Sequence, residues 1–293
     1  MKGIVLAGGR GSRLDPLTKA FSKQLLPIFD KPMIYYPLAT LMLAGIREIL
    51  VITTPDDRSL FERLLGDGQD WGVALHYIPQ EEPNGLSEAL IIGERFLDGG
   101  ACCLVLGDNV FYGYGFGGVL REISARREGC TIFGYRVRDP ERYGVVEFDH
   151  ARKVVGIEEK PACPKSNYAV PGLYFYDERA PTFAKSLRKS PRGELEITDL
   201  NRCYLDEGSL RVELLSRGVA WLDTGTPASL AQASTFIETI EFRQGLKVCC
   251  PEEIAFNQGW ISARQLERLA DRHGSYSYAE YLRSLAGESP RQP

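Results

Sequence analysis

Histidine is scarce in this 293-residue chain, which holds only His76, His150 and His273, in unlike surroundings. That scarcity argues against a histidine-built metal site or a Ser–His–Asp triad. The seven cysteines, at 102, 103, 130, 163, 203, 249 and 250, are odd in number, include two adjacent pairs and form no C-x-x-C. They fit neither a disulfide framework nor a zinc site, and read as reduced structural thiols of a cytoplasmic protein. No run approaches the ~20 apolar residues of a membrane span. The N-terminus enters a strand at once, without the pattern of a secretory signal. A net charge of −4 offers no general attraction for nucleic acid or an anionic membrane. Any polyanionic ligand must be held by local positive charge. Two common phosphate loops are missing as well. The Walker A ending Gly-Lys-Ser/Thr does not occur, and Leu14 stands where the dinucleotide fingerprint needs its third glycine.

What is present is ordinary in bulk, with 44% hydrophobic and 25% charged residues, and long enough to bury a large core. The opening stretch is distinctive. Ile4-Val5-Leu6-Ala7 reads as a buried strand that runs into Gly8-Gly9-Arg10-Gly11-Ser12-Arg13. Glycine after a strand is often only a turn. Three glycines, however, let the backbone approach a ligand closely, and the exposed N–H groups of such a turn can cradle phosphate. Arg13 adds a planar fork suited to phosphate and Lys23 a mobile point charge. The stretch reads as a nucleoside triphosphate site.

Along the chain, Pro32–Ala44 reads as a buried helix interrupted by Pro37. Glu48–Thr53 is a second strand. A helix with Asp56 and Asp57 in its first turn follows. Then come a strand over Gly72–Pro79, a helix over Ser87–Phe96 and a strand over Cys102–Leu106. This alternation predicts an α/β fold with a Rossmann-like, mostly parallel or mixed central sheet flanked by helices. Beyond Cys130, strand candidates at Thr131–Val137, Gly144–Phe148, Lys153–Ile157 and Tyr168–Tyr176 suggest an added β segment. A helix over Leu195–Leu205 and short strands at Val212–Leu214 and Val219–Trp221 come next. Thr226-Pro227 is a cap and first-turn signal for a helix reaching Ile240, and Gln265–Leu269 and Ala279–Leu285 are helical segments of the tail. We expect a catalytic domain over 1–240, with 241–293 a C-terminal helical extension packed on it, and a frayed end from Glu288.

Ligands of such sheets sit beyond the carboxyl ends of the strands, where the glycine loop, Gln80 and Asp108 fall. A carboxylate at such an end is a good magnesium ligand, though a lone Asp108 would more often cap a turn. Asp223, in Trp221-Leu222-Asp223-Thr224-Gly225, is a second candidate, since magnesium takes one or two carboxylates with phosphates and waters. Glu159-Lys160 closes another strand, with Lys160 suited to a sugar phosphate and Glu159 to sugar hydroxyls. Tyr143-Gly144 and Glu194 are weaker candidates for that pocket. Gln80 and Gly85 stand where a base can be read.

The string LAGGRGSRL, with Pro16, Leu17-Thr18, SKQLLP and Lys31-Pro32-Met33, resembles the signature of sugar nucleotidyltransferases. Further strings, among them LVLGDN, DPERYGVV, EEKP, GLYFYD, SPRGELEITD and WLDTGT, are similar to the glucose-1-phosphate thymidylyltransferase family and extend the likeness to about residue 262. The resemblance implies magnesium-dependent transfer of dTMP from dTTP to α-D-glucose 1-phosphate, giving dTDP-glucose for deoxysugars such as rhamnose, surface polysaccharide or antibiotics. It implies a nucleotide side made by Leu6, Gly8, Gly9, Gly11, Ser12, Arg13, Lys23, Gln80, Gly85 and Asp108, and a metal held by Asp108 and Asp223. The sugar-phosphate side takes in Tyr143, Gly144, Glu159, Lys160, Val170 and Trp221. Arg13, Lys23, Asp108 and Lys160 are its catalytic set. It further implies a homotetramer with a second, feedback nucleotide-sugar site near Leu43, Tyr112, Gly113, Phe116, Arg217, Lys247, Glu253 and Ile254. Pro171, Gly117 and Asn257 depart from the family pattern, the first at the sugar pocket and the others at the second site. Two alternatives stay open: a nucleotidyltransferase for another base or sugar phosphate, and a non-catalytic nucleotide-binding regulator.

Overall fold

A computed structural model describes residues 1–9, 11–151 and 153–288. Arg10 of the glycine loop lies outside the described residues, as does the expected frayed end from 289 onward.

The first strand explains why an unbroken apolar run opens the chain. Strand β1 (Lys2–Ala7) lies between two parallel neighbours. Gly3 to Ala7 align with Ile49 to Thr53, and Lys2 to Leu6 with Cys102 to Leu106. Successive side chains of a strand point to opposite faces. Val5 and Ala7 join a core with Leu38, Leu41 and Met42, while Ile4 and Leu6 join another with Ala89 and Leu90. Both faces are covered, so neither can be polar.

After β1 come a hairpin of β2 (Pro27–Ile28) and β3 (Lys31–Pro32), helix α1 (Tyr35–Leu43), β4 (Glu48–Thr53) and α2 (Arg58–Leu65). Then follow β5 (Ala74–Pro79), α3 (Glu88–Leu97), β6 (Cys102–Leu106), β7 (Asn109–Gly113) and α4 (Phe116–Ser124). The middle of the chain holds β8 (Cys130–Arg136), β9 (Gly144–Phe148), β10 (Val154–Glu159), β11 (Tyr168–Ala169), β12 (Leu173–Tyr176), α5 (Ala180–Ser186) and α6 (Ile197–Asp206). The end holds β13 (Leu210–Leu214), β14 (Val219–Asp223), α7 (Pro227–Gln244), α8 (Pro251–Asn257), α9 (Ala263–Arg272) and α10 (Ser277–Ala286). Among the described residues a ten-stranded sheet runs β10-β9-β11-β8-β12-β6-β1-β4-β5, with β13 pairing β8. The block β6-β1-β4-β5 is parallel, and β12 meets β6 and β8 antiparallel. The sheet is the mixed one expected.

Several local expectations need correction. Pro37 does not interrupt its helix: α1 begins at Tyr35, so proline falls in the first turn, where N–H groups have no intrahelical acceptor anyway. Pro32 belongs to the hairpin instead. Asp57 precedes α2 as its N-cap residue, and no acidic residue occupies the first turn. The single strand expected over 168–176 is two, broken at Val170-Pro171-Gly172. Pro171 has no N–H to donate, and the Gly172 N–H turns aside to Asn109 Oδ1 at 3.0 Å. Strand β7 and helices α4 and α5 were not anticipated.

The segments flanking the glycine loop are tied down by a buried charge cluster. Lys31, 1% exposed, donates to Asp30 Oδ1 at 2.5 Å and to Glu241 Oε1 at 2.8 Å. Lys247 also reaches Asp30, and Glu241 Oε2 at 3.3 Å. Burial works against the Lys31 charge, yet the two carboxylates more than offset it and hold its pKa above the ordinary value. The cluster links the hairpin after Lys23 to the C-terminal end of α7. Removing one member of a buried pair leaves a bare charge, which costs about 3–5 kcal/mol. Lys31→Met is therefore expected to lower the urea unfolding free energy by roughly 3 kcal/mol, with Lys247 still serving Asp30. Lys31→Met combined with Glu241→Leu should recover part of that loss, though not all, because the Val248 N–H that donates to Glu241 Oε1 at 2.8 Å loses its acceptor; equal losses in the two variants would count against this account.

Candidate functional site: a cleft at the carboxyl edge of the sheet

Strands β1, β5 and β6 all deliver their carboxyl ends to one side, and a cleft of about 600 Å³ opens there, within the size range of small-molecule sites. The glycine loop forms one wall with Leu6, Gly8, Gly9, Gly11, Ser12 and Arg13. Gly11 adopts φ +64°, a conformation that favours glycine. A Cβ there would also lie 3.0 Å from the Thr18 methyl. Lys23 reaches the same wall from the next turn.

Gln80 and Gly85 sit past β5. Gly85 has φ +108° and lies against the Leu195 backbone, and the Leu195 N–H donates to the Asn84 carbonyl at 2.6 Å. This loop is thus stitched to the segment before α6.

The opposite wall comes from the antiparallel part of the sheet. Tyr143, Gly144, Glu159, Lys160 and Val170 line it. Thr198 Oγ1 donates to Glu159 Oε2 at 2.6 Å, and a Cβ on Gly144 would lie 3.0 Å from Thr198 Oγ1. Gly144 keeps that carboxylate accessible. Lys160 lies 3.5 Å from Glu159 Oε1. Trp221 stands behind, edge-on to the Tyr143 ring with centroids 5.1 Å apart, its indole N–H donated to Asn109 Oδ1 at 2.6 Å.

Asp108 and Asp223 stand on the cleft floor, drawn from positions 115 residues apart. Strands β7 and β14 pair antiparallel with Asp223 opposite Asn109. Thr224 then donates both its N–H (3.2 Å) and its hydroxyl (2.8 Å) to the Asp108 carbonyl. Burial and the neighbouring Asp108 raise the Asp223 pKa, against Arg13, Lys23 and Arg142. Asp108 differs. Burial opposes its ionisation too, but an ion pair with Lys23 and a bond from Asn109 Nδ2 hold its pKa below the ordinary carboxylate range.

Every residue expected on the nucleotide, metal and sugar-phosphate sides lines this one cleft. Sequence reasoning missed Arg142, Arg192 and Thr198, which line it too. Arg142 lies over the Tyr143 ring and 3.8 Å from Asp223. Arg192 is bound to Glu196 at 2.7 Å and Glu159 at 3.4 Å. Both arginines sit inside strings already singled out, DPERYGVV and SPRGELEITD, and their charge was the available signal.

None of the residues expected at a second site lines the cleft. Phe116 is a core residue stacked on Phe111, and Ile254 is buried. Lys247 is held by Asp30 and Glu241 and lies over the Tyr278 and Tyr281 rings. Glu253 accepts from Tyr281 at 2.7 Å. The Tyr112 hydroxyl donates to Gln244, Leu43 gives its carbonyl to Arg121, Gly113 lies against Val219 and Arg217 is exposed. The departures Gly117 and Asn257 are in α4 and α8.

Comparisons with known proteins agree with this geometry. Residues 2–240 match the model of the family described as nucleotidyl transferase. A glucose-1-phosphate thymidylyltransferase of Xanthomonas campestris pv. campestris is 62% identical over 285 residues, 97% of each chain. One of Neisseria gonorrhoeae is 56% identical, covering 98% of this chain and 100% of its own. A solved Bacillus anthracis chain assigned as a glucose-1-phosphate thymidylyltransferase, in complex with a sucrose, superposes with a TM-score of 0.75 at 42% identity, covering 80% of this chain and 94% of its own. With its glycine loop, its paired aspartates and its match from residue 2 to 240, the chain belongs to the nucleotidyl transferase family.

Proposed function

We propose that this chain is a thymidylyltransferase, which transfers dTMP from dTTP to α-D-glucose 1-phosphate and releases pyrophosphate. The observation that carries the reading is one cleft with the glycine loop, Arg13 and Lys23 on one wall, Tyr143, Glu159 and Lys160 on the other and two carboxylates between them. Relatives at 62% and 56% identity carry that name.

The chemistry asks little of proton transfer. A phosphate monoester has a second pKa of about 6 and is already an anionic nucleophile at neutral pH, which suits a chain with three histidines. The obstacle is repulsion between polyanions. Unit charges about 4 Å apart repel by roughly 1 kcal/mol in water but about 4 kcal/mol at an effective dielectric near 20. Arg13, Lys23 and the loop amides offset it on the triphosphate, and Lys160 and Arg192 on the sugar phosphate. Holding both substrates in one cleft, with attacking and leaving oxygens in line, supplies the rest.

Asp108 and Asp223 fit a divalent cation. Both stand on the cleft floor, Asp108 buried and Asp223 half-buried, and the Asp108 charge helps to raise the Asp223 pKa. That matches magnesium, which prefers one or two carboxylates with phosphate oxygens and waters. When bound there it would neutralise phosphate charge.

The same reading makes 1–240 the catalytic domain and 241–293 a helical extension, places the protein in the cytoplasm and supplies dTDP-glucose for deoxysugar synthesis. It includes a homotetramer with a feedback site. Support for assembly comes from α7, where residues 227–237 carry no charge and Phe242 is 84% exposed.

Pyrophosphate release assayed with dTTP, UTP, CTP and GTP against several sugar 1-phosphates should be fastest for dTTP with glucose 1-phosphate. A faster pair of another base or sugar would replace this assignment. Arg13→Ala and Asp108→Asn should each lower kcat by about 10²-fold or more while the protein stays folded, Asp108→Asn with some loss of stability because Lys23 loses its buried partner. Full activity in either purified variant would remove that residue from the mechanism. Chelation of divalent cations should abolish turnover and added magnesium restore it, and activity persisting through chelation would count against the aspartate pair as a metal site.

A further inference from the structure

Gln80 ends β5 and is 6% exposed, and its side-chain amide is locked in one direction. Its Nε2 donates to Glu88 Oε2 at 2.6 Å. The other oxygen of Glu88, Oε1, accepts from Asn84 Nδ2 at 2.9 Å. Asn84 Oδ1 in turn accepts from Lys189 Nζ at 2.6 Å. An ionised carboxylate only accepts hydrogen bonds, so both amides must present their NH2 groups to Glu88. Glu88 is the first residue of α3, where the helix dipole favours negative charge.

The consequence lies on the other side of Gln80. Its Oε1 takes no hydrogen bond from the described residues and points at the glycine loop. A Cβ on Gly8 would lie only 2.5 Å from it. The cleft therefore presents a carbonyl acceptor, without a partner among the described residues, beside the loop that would hold the triphosphate. Thymine and uracil offer an N–H donor at N3 of their reading edge. Cytosine offers a lone pair at the same position, which would face another lone pair.

Resting on the thymidylyl-transfer reading, we infer that Glu88 is a positioning residue for base selection: it fixes the Gln80 amide with its carbonyl toward the nucleotide, so that pyrimidines with an N3–H are accepted and cytosine is rejected. A site built to hydrogen-bond one group discriminates strongly against an analogue that cannot complete the bond. The device separates dTTP and UTP from CTP and does not separate dTTP from UTP.

The test compares kcat/KM for dTTP, UTP and CTP with glucose 1-phosphate in wild type, Glu88→Leu and Glu88→Gln. Glu88→Ala stands in if the leucine variant fails to fold. Calorimetric Kd values for dTTP and CTP read the same selectivity without turnover. Loss of the acceptor in Glu88→Leu should lower kcat/KM for dTTP and UTP about tenfold, the scale of one hydrogen bond, with CTP within about twofold of wild type. Glu88→Gln keeps one carbonyl oxygen for Gln80 Nε2 and should stay within about threefold of wild type for all three. A parallel fall for all three nucleotides in Glu88→Leu, an unchanged dTTP:CTP ratio, or equal damage from Glu88→Gln would overturn the role of Glu88. Wild-type protein that makes no dTDP-glucose would instead overturn the underlying reading, and its dTTP:CTP Kd ratio with and without Glu88 would still decide this one.

Discussion

Two hydrogen bonds from Thr224 to the carbonyl oxygen of Asp108 hold together the two parts of the chain on which the cleft depends. They close the pairing of β7 with β14 and bring two carboxylates to one floor. A buried and a half-buried carboxylate on one floor are unfavourable unless cations answer them. Arg13, Lys23 and Arg142 all bear on Asp223, so the cationic wall follows from the acidic floor. The covered faces of β1, with Ile4, Val5 and Ala7 fully buried, supply the rigid base on which this arrangement stands.

Much of this was legible in the residues. The run of β and α segments up to Leu106 followed from apolar runs punctuated by glycine and polar turns. The position of the site followed from the rule that ligands meet parallel sheets at their carboxyl ends. Asp108 and Gln80 could be placed there without reference to any relative. What could not be read was contact between distant segments. Nothing local to Trp221-Leu222-Asp223 says that it pairs with Asn109–Gly113, because strand pairing is set by the three-dimensional fold and not by spacing. The expected strand at 168–176 failed for a similar reason. Its residues favour extended structure, but Pro171 cannot continue a ladder and Gly172 has a partner, Asn109, that only the fold provides.

Charge was the other blind spot. Arg142 and Arg192 are unremarkable as sequence, since most arginines are exposed. Their role in the cleft depends on which carboxylates surround them, Asp139 and Asp223 for one, Glu159 and Glu196 for the other. The surroundings of the residues matched to a second site were equally out of reach of the sequence: Phe116 and Ile254 are buried, and Lys247 is engaged by two carboxylates and two tyrosine rings.

The same surroundings explain how a chain of net charge −4 can receive two polyanions. Several cations of the cleft already have carboxylate partners: Lys23 with Asp108, Lys160 with Glu159, Arg192 with Glu196. On the proposed reading, binding would be an exchange of partners and not the filling of bare positive sites. A pair as exposed as Lys160–Glu159, with side chains 48% and 25% exposed, is worth about 0–1 kcal/mol, so on the proposed reading a phosphate would displace that carboxylate at little cost. The Lys23–Asp108 pair, with both side chains 12% exposed, is different, because separating buried charges leaves each unanswered. It can open cheaply only if both partners are satisfied at once, Lys23 by a phosphate and Asp108 by another cation. On the proposed reading, a triphosphate arriving with a divalent ion would meet that condition, whereas either alone would not, and the pairing would thereby favour the complex of the two over free nucleotide or free metal.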